Sequence, residues 1–404
     1  MSCSRCLEES FHRKKGELYH LCLIISMEES TGLCKELFDY LTAEYPHDNC
    51  KLSFEPDQQG VKTPFFIDKN ESQAELVCFK STFVKIFKGV HKEFTELVTS
   101  STDLDNCCKI DDMEIYYMTV GLFLTTTENK TVFNLHQSIL IKIIRNFKVR
   151  GGNEKELYRF LEKELRMVQR LLTSTNNKLN KSSSMWLLYK KLYILILELF
   201  PENKLDYLDA CFKAARLHPA NYYCWNTIRW FFDNIPKEKK LELFTKVKKF
   251  CFQRGSDCSS WDTLSYIVCQ RNRKIDHNRN EYRRISKMFE EILPGRDPVK
   301  VDNSFPEFSV SHTFQGIIEM IELLRLDKWP PYLCLLNLLK TFPEIDRSWL
   351  FQKWTEELRV FEEEFGHLYF EYDKPLVPEK YADNLLLSRD IKYFGFKRSV
   401  MNYF

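Results

Sequence analysis

The chain has 404 residues, of which 44% are apolar and 29% charged, a globular balance that excludes wholesale disorder. Lys plus Arg is 59 against 57 Asp plus Glu, a formal net charge of +2, so nothing global directs it to a polyanion. Glycine is scarce (12) while Phe reaches 32, which disfavours Gly-dependent sheets and barrels and favours an all-α protein with ample core material.

The chain opens MSCSRCLEES, without the apolar stretch of a signal peptide. Leu21–Met27 and Leu192–Phe200 are too short to cross a membrane, and no prenylation box closes the chain. A soluble, cytoplasmic protein is expected. Its 14 cysteines then read as reduced thiols. Cys3 and Cys6 form a CxxC pair, but His12, His20 and Cys22 supply no second tight pair for zinc. Cys107, Cys108, Cys251 and Cys258 read as packing residues.

Residues 1–111 form an N-terminal helical region of unassigned role. Glu17–Tyr45 has helical stripes, Phe54–Thr63 reads as a loop and Val98–Asp105 as a linker. From 112 to 270 a pattern recurs. An apolar run, Tyr116–Leu124, precedes a polar stretch and then Phe133. Gly151-Gly152-Asn153 marks a turn or insertion before Trp186. Trp225 and Trp261 follow at separations of 39 and 36 residues. Each Trp stands behind a candidate cap: Ser183 or Ser184, Asn221, and Asp257 or Ser259. First helices precede the later two. Leu205, Leu208, Cys211, Phe212 and Ala215 share one face before His218-Pro219. Leu241, Phe244, Val247 and Cys251 share another before Gly255. The predicted architecture is a solenoid of antiparallel helical hairpins of about 35–40 residues each, with Phe133, Trp186, Trp225 and Trp261 as buried anchors.

Beyond the repeats, Arg271–Arg284 carries six Lys/Arg against Asp276 and Glu281, read as a solvated face or a protein contact rather than a nucleic-acid site. Residues 271–404 are expected to hold further helices and degenerate copies around Phe314 and Trp349. Pro294, Pro298, Pro306, Pro330 and Pro331 interrupt them, and from Gly366 an extended tail is predicted. No GxGxxG, Walker loop, HExxH or GxSxG occurs, so no complete active site is expected in this chain.

The segment Cys211–Trp225, in which Leu217-His218-Pro219 leads into Asn221, Tyr222 and Trp225, resembles the repeat of protein prenyltransferase alpha subunits. Thr131–Gln137 is similar to that family's first repeat. The likeness covers roughly 112–270 and leans toward the divergent alpha-subunit-repeat branch, the alpha-like side of the third type of geranylgeranyltransferase. Where the family has Arg three residues after the anchor, this chain has His136, Tyr189, Ile228 and Leu264; Lys190 and Arg229 come one place later.

The resemblance implies a non-catalytic subunit that holds a catalytic beta subunit, that of Rab geranylgeranyltransferase above all. It further implies that zinc and geranylgeranyl diphosphate sit in that partner, with none in this chain. An already prenylated SNARE is the implied substrate. Lys181 would then offset a diphosphate anion, and Asn221, Tyr222 and Arg229 would edge the partner contact. The alternative is a free-standing helical-repeat scaffold that binds unrelated proteins, since the same surface serves both.

Overall fold

A computed structural model describes residues 29–45, 50–61, 63–69, 73–100, 111–269, 277–292, 308–366, 370–371, 374–375 and 384–404. Two compact units emerge. One comprises Met1–His218 with Ile285–Val299, the other Pro219–Arg284 with Lys300–Phe404.

The first unit does not begin as a purely helical region. After helix α1 (29–42) come β1 (Cys50–Glu55), β2 (Phe65–Lys69) and β3 (Ala74–Phe79), in the sheet order β1-β3-β2. β3 lies parallel to β1, with Leu52 opposite Leu76, and antiparallel to β2, with Phe65 opposite Cys78. Period-two burial of Ala74, Leu76 and Cys78 turns one face of β3 inward. Phe54 therefore belongs to a strand, not to the predicted loop. Short strands broken by Pro, Asp and Gly present little period to a sequence reader, and tertiary packing decides them.

The helices that follow are α2 (Lys80–Ser100), α3 (Asp112–Thr125), α4 (Lys130–Val149), α5 (Glu154–Leu172), α6 (Asn177–Asn180), α7 (Ser183–Leu199) and α8 (Leu208–Leu217). α3 buries a continuous run from Met118 to Leu124, so it is enclosed by its neighbours. Asn129 caps α4 by accepting from the Thr131 and Val132 N–H groups, and Asn153 caps α5. Gly151 (φ +63°) makes a tight left-handed turn between them. The 53-residue gap between Phe133 and Trp186 is thus no insertion at Gly151-Gly152. It is filled by the rest of α4, the whole of α5 and the short α6.

Arginines of α5 tie that helix to α1. Arg166 Nη1 donates to the Thr42 carbonyl at 3.0 Å, and Arg170 Nη1 to those of Leu41 (2.8 Å) and Tyr40 (3.3 Å). They satisfy carbonyls that the end of a helix leaves open.

The second unit contains α9 (Tyr222–Asn234), α10 (Lys237–Gln253), α11 (Cys258–Cys269) and the start of α12 (His277–Lys287). It continues with α13 (Val310–Leu324), α14 (Trp329–Thr341), α15 (Ser348–Phe365), a strand pair β4 (Phe370–Glu371) and β5 (Lys374–Pro375), and α16 (Leu385–Met401). α11 packs on α9, α10 and α14; α14 packs on α13 and α16.

Pro330 and Pro331 open α14 rather than interrupt it, because a helix start needs no N–H from those positions. From Leu385 on, the predicted extended tail is instead a docked helix. α16 buries Ile391, Phe394, Phe396 and Val400, and its fully buried Lys397 side chain pairs with Glu357 over the Tyr393 ring. Trp349 is not a late anchor; it faces solvent, and Trp354, on the opposite side of α15, takes the buried place.

The molecule is mostly helical, as expected. All four predicted anchors are buried: Phe133, Trp186, Trp225 and Trp261. Phe133 stacks on Phe123 at 4.4 Å, and Trp225 meets Phe250 edge-on at 4.9 Å. Trp186 Nε1 donates to the Asn180 carbonyl at 2.8 Å.

Candidate interaction surface

The turn expected to mark the partner edge is built tightly. Asn221 is fully buried and caps α9, its side chain accepting from the Cys224 N–H at 3.2 Å. Ala220, just before it, has φ +54°, a left-handed conformation uncommon for a residue with a Cβ. Asp257 holds the turn from the other side. Its Oδ2 accepts from the Ala220 N–H at 3.1 Å while its Oδ1 caps α11 through Ser260 N–H at 3.0 Å. One buried carboxylate thus fixes the starts of both α9 and α11.

On that frame, the outer face of α9 carries Tyr222, Tyr223, Asn226 and Arg229. Tyr222 is 58% and Tyr223 41% exposed, and their rings meet edge-on at 5.5 Å. The Arg229 guanidinium lies 6.0 Å from the Tyr222 ring and 5.7 Å from that of Tyr266. Its Nη1 donates to Asp262 on α11, while its Nε is buried without a hydrogen-bond partner. Tyr266 donates to Asp233 Oδ2 at 2.6 Å, and Asn278 Nδ2 reaches the same oxygen at 2.6 Å. Asp233, Asp262, Tyr266 and Asn278 were not singled out from the sequence. Contacts between helices have no fixed sequence spacing, so the sequence carries no signal for them.

Lys181 lies in the other unit. It ends α6 with its side chain in solvent. The cap of α7 is its neighbour Ser182, whose Oγ accepts from the Met185 N–H at 3.1 Å, one place before the expected serines. Ser183 and Ser184 donate instead to the Glu128 carboxylate, at 2.9 and 3.1 Å through their hydroxyls. The segment around Lys181 is therefore organised by a carboxylate.

Two other polar clusters lie in the first unit. Tyr116, Thr119, His136 and Glu164 form a fully buried network. Glu164 accepts from the Tyr116 hydroxyl and lies 2.8 Å from His136 Nε2, and His136 Nδ1 lies 2.7 Å from Thr119 Oγ1. Burial, then the neighbouring Glu164, pushes the Tyr116 phenol well above its ordinary value, which keeps it a donor. With no exposed atom the network supports packing. A cleft of about 280 Å³ beside α5 and α8 is lined by Glu162, Arg166, Asp209 and Lys213 among others. Two ion pairs lie within it, Lys213 with Asp209 at 2.8 Å and Arg166 with Glu162 at 3.5 Å, while Arg170 is spent on the Tyr40 and Leu41 carbonyls.

Among the described residues no three His, Cys, Asp or Glu side chains converge as a metal site. Cys3, Cys6, Cys107 and Cys108 lie outside the described residues. The described cysteines are free thiols. Cys251 is fully buried and its thiol is pushed up by that burial, whereas Cys258 is exposed on the first turn of α11 and does not serve packing. No helix of the described residues is long and apolar enough to cross a membrane.

Comparison with known proteins decides the family. Residues 27–173 match the ECM9 N-terminal domain, 185–289 the ECM9 middle domain and 310–404 the ECM9 C-terminal domain. Protein ECM9 of Saccharomyces cerevisiae is 37% identical over 380 residues, 94% of this chain and 97% of that protein. The chain belongs to the ECM9 family.

That assignment corrects the resemblance to prenyltransferase alpha-subunit repeats and the prenylation role attached to it. The structure shows why the motif misled. Residues three places after each anchor, His136, Tyr189, Ile228 and Leu264, are all fully buried, where an unpaired arginine is not tolerated. The closest-matching segment is also divided between the units, with α8 in the first and α9 in the second. A cap followed by a buried tryptophan is a general solution for starting a core helix. The expectations of a beta subunit, of its zinc and geranylgeranyl diphosphate, and of a SNARE substrate drew on that resemblance alone.

Proposed function

We propose that this ECM9-family chain acts as a helical scaffold that binds other proteins, with the outer edge of α9 and α11 as a docking surface. Packed helix pairs such as α3–α4, α10–α11 and α13–α14 are read as hairpins of a solenoid-like framework that presents such edges. The observation that carries the reading is the exposed Tyr222–Tyr223 pair beside a clamped Arg229, on a turn fixed by buried Asn221 and Asp257. Tyr and Arg are enriched at protein-binding hot spots, Tyr because it brings large contact area with few rotors to freeze and Arg because its planar group brings several donors. A rigid base lowers the ordering cost of binding further.

The test is site-specific photo-crosslinking in cells. A benzophenone amino acid at position 223 should yield a discrete adduct with another protein. The same probe at Val149, 86% exposed in the other unit, should not. Equal adducts at both positions, or none at 223, would refute the assignment.

A further inference from the structure

The docking edge does not end at Arg229. Tyr266, under the Arg229 guanidinium, has its hydroxyl 3.1 Å from Asn278 Nδ2 on α12. The next residues of α12 are strongly basic. Arg283 and Arg284 are exposed; among the described residues Arg283 donates to Asn280 Oδ1 at 3.0 Å, and Arg284 has no carboxylate partner. Arg279 is half-buried, with its Nε 3.5 Å from the Asp233 carbonyl. α9 and α12 thus carry four arginines, Arg229, Arg279, Arg283 and Arg284, against Asp262 on α11 and Glu281 on α12. A third carboxylate, Asp233, is buried and already accepts from Tyr266 and Asn278. In a chain whose net charge is only +2, this edge is a local cationic strip with aromatic rings at one end.

We propose that this strip receives an acidic peptide segment of a partner protein, with its carboxylates on Arg229, Arg283 and Arg284 and an apolar residue against Tyr222 and Tyr223. The proposal rests on the scaffold reading above and names its ligand chemistry. Arg229 is prepared for exchange. Among the described residues its hydrogen bond goes to Asp262, whose side chain is 56% exposed while that of Arg229 is 13% exposed, so the Asp262 half of the pair is open to replacement from solvent. Nε is enclosed, so an incoming carboxylate would meet the guanidinium at its two Nη groups, an edge whose planar geometry suits a carboxylate. A nucleic acid fits less well. The exposed carboxylate of Asp262 interrupts the strip where a continuous phosphate backbone would run, while a peptide can place separate charges on either side of it. The two tyrosines also meet each other edge-on rather than offering open faces for base stacking.

The experiment is fluorescence anisotropy on the full chain, with fluorescein-labelled oligoglutamate, oligolysine and oligothymidine as probes. Oligoglutamate should bind at low ionic strength and weaken as salt rises, as screened charge pairs do. The double variant Arg283→Glu/Arg284→Glu, both sites exposed and outside the core, should weaken it at least about tenfold. Lys246→Glu/Lys249→Glu on α10, an equal change of charge, should not. Arg229→Ala, checked for folding by circular dichroism, should weaken binding and reduce its salt dependence. No oligoglutamate binding, an equal loss in the α10 variant, or tighter binding of oligothymidine would overturn the proposal. If the adduct at position 223 persists while oligoglutamate fails, the acidic ligand is wrong and the scaffold reading stands; loss of both removes both.

Discussion

Glu164 offers the sharpest test of the packing argument, because its neighbours leave few places for the protons. Thr119 Oγ1 lies 2.6 Å from the Tyr116 carbonyl and 2.7 Å from His136 Nδ1. The carbonyl can only accept, so the single hydroxyl proton points to it, and Nδ1 must carry a proton toward Thr119. One further proton then bridges His136 Nε2 and Glu164 Oε1 at 2.8 Å, and the Tyr116 hydroxyl donates to Oε2. Every polar atom of the ring is satisfied, and α3, α4 and α5 are joined through it.

Glu164→Ala leaves the Tyr116 hydroxyl and His136 Nε2 buried and orphaned. Breaking such a pair costs about 3–5 kcal/mol, a large part of the ~5–15 kcal/mol that holds a typical domain. Glu164→Gln should cost only about 1–2 kcal/mol. Its amide oxygen still accepts from Tyr116, its nitrogen donates to Nε2, and one N–H is left over. Urea denaturation followed by circular dichroism gives the totals. Hydrogen exchange of α3–α5 peptides localises the loss, which matters because two units need not unfold in one step. Equal destabilisation by Ala and Gln, or a loss under about 1 kcal/mol for Ala, would refute the proton count.

Other expectations follow from the second unit. Ala220→Gly removes a Cβ at φ +54° and should be neutral or stabilise by up to about 1 kcal/mol in thermal melts, relief of the left-handed strain opposing the entropy of a freer unfolded chain; a clear loss would show that Ala220 is not strained. Trp225→Ala, at a fully buried site, should destabilise by about 3–5 kcal/mol in urea titrations. Glu322 is pushed up by burial, but the Lys353 and Trp354 hydrogen bonds outweigh this and hold its carboxyl below the usual value. Its contribution is therefore present above the unfolded carboxylate range and is lost as pH falls through the lowered folded value. Glu322→Gln should flatten the decline of stability in acid, and an unchanged pH profile would count against the Lys353–Glu322 link.

The sequence by itself determined the helical class and the anchors. Phe133, Trp186, Trp225 and Trp261 are the largest apolar groups on their periodic runs, and no surface position hides a tryptophan from water. Asn221 and Asp257 were legible as caps because a short side-chain oxygen before an apolar run satisfies the first open N–H groups whatever lies beyond. Spacing alone could not identify the family, since the cap-and-Trp unit reports a local need and not a lineage. The β1–β3 pairing, the docking of α16 and the choice of Trp354 over Trp349 depend on which neighbours arrive across long stretches of chain, so only tertiary structure decided them.

The same holds for the candidate surface. Tyr222 and Arg229 are legible in the sequence, but Asp262, Tyr266 and Asn278 become their neighbours only because α9, α11 and α12 lie side by side. An ion pair or aromatic contact between helices has no signature at fixed spacing. It exists when packing of the apolar faces brings the outer faces into register.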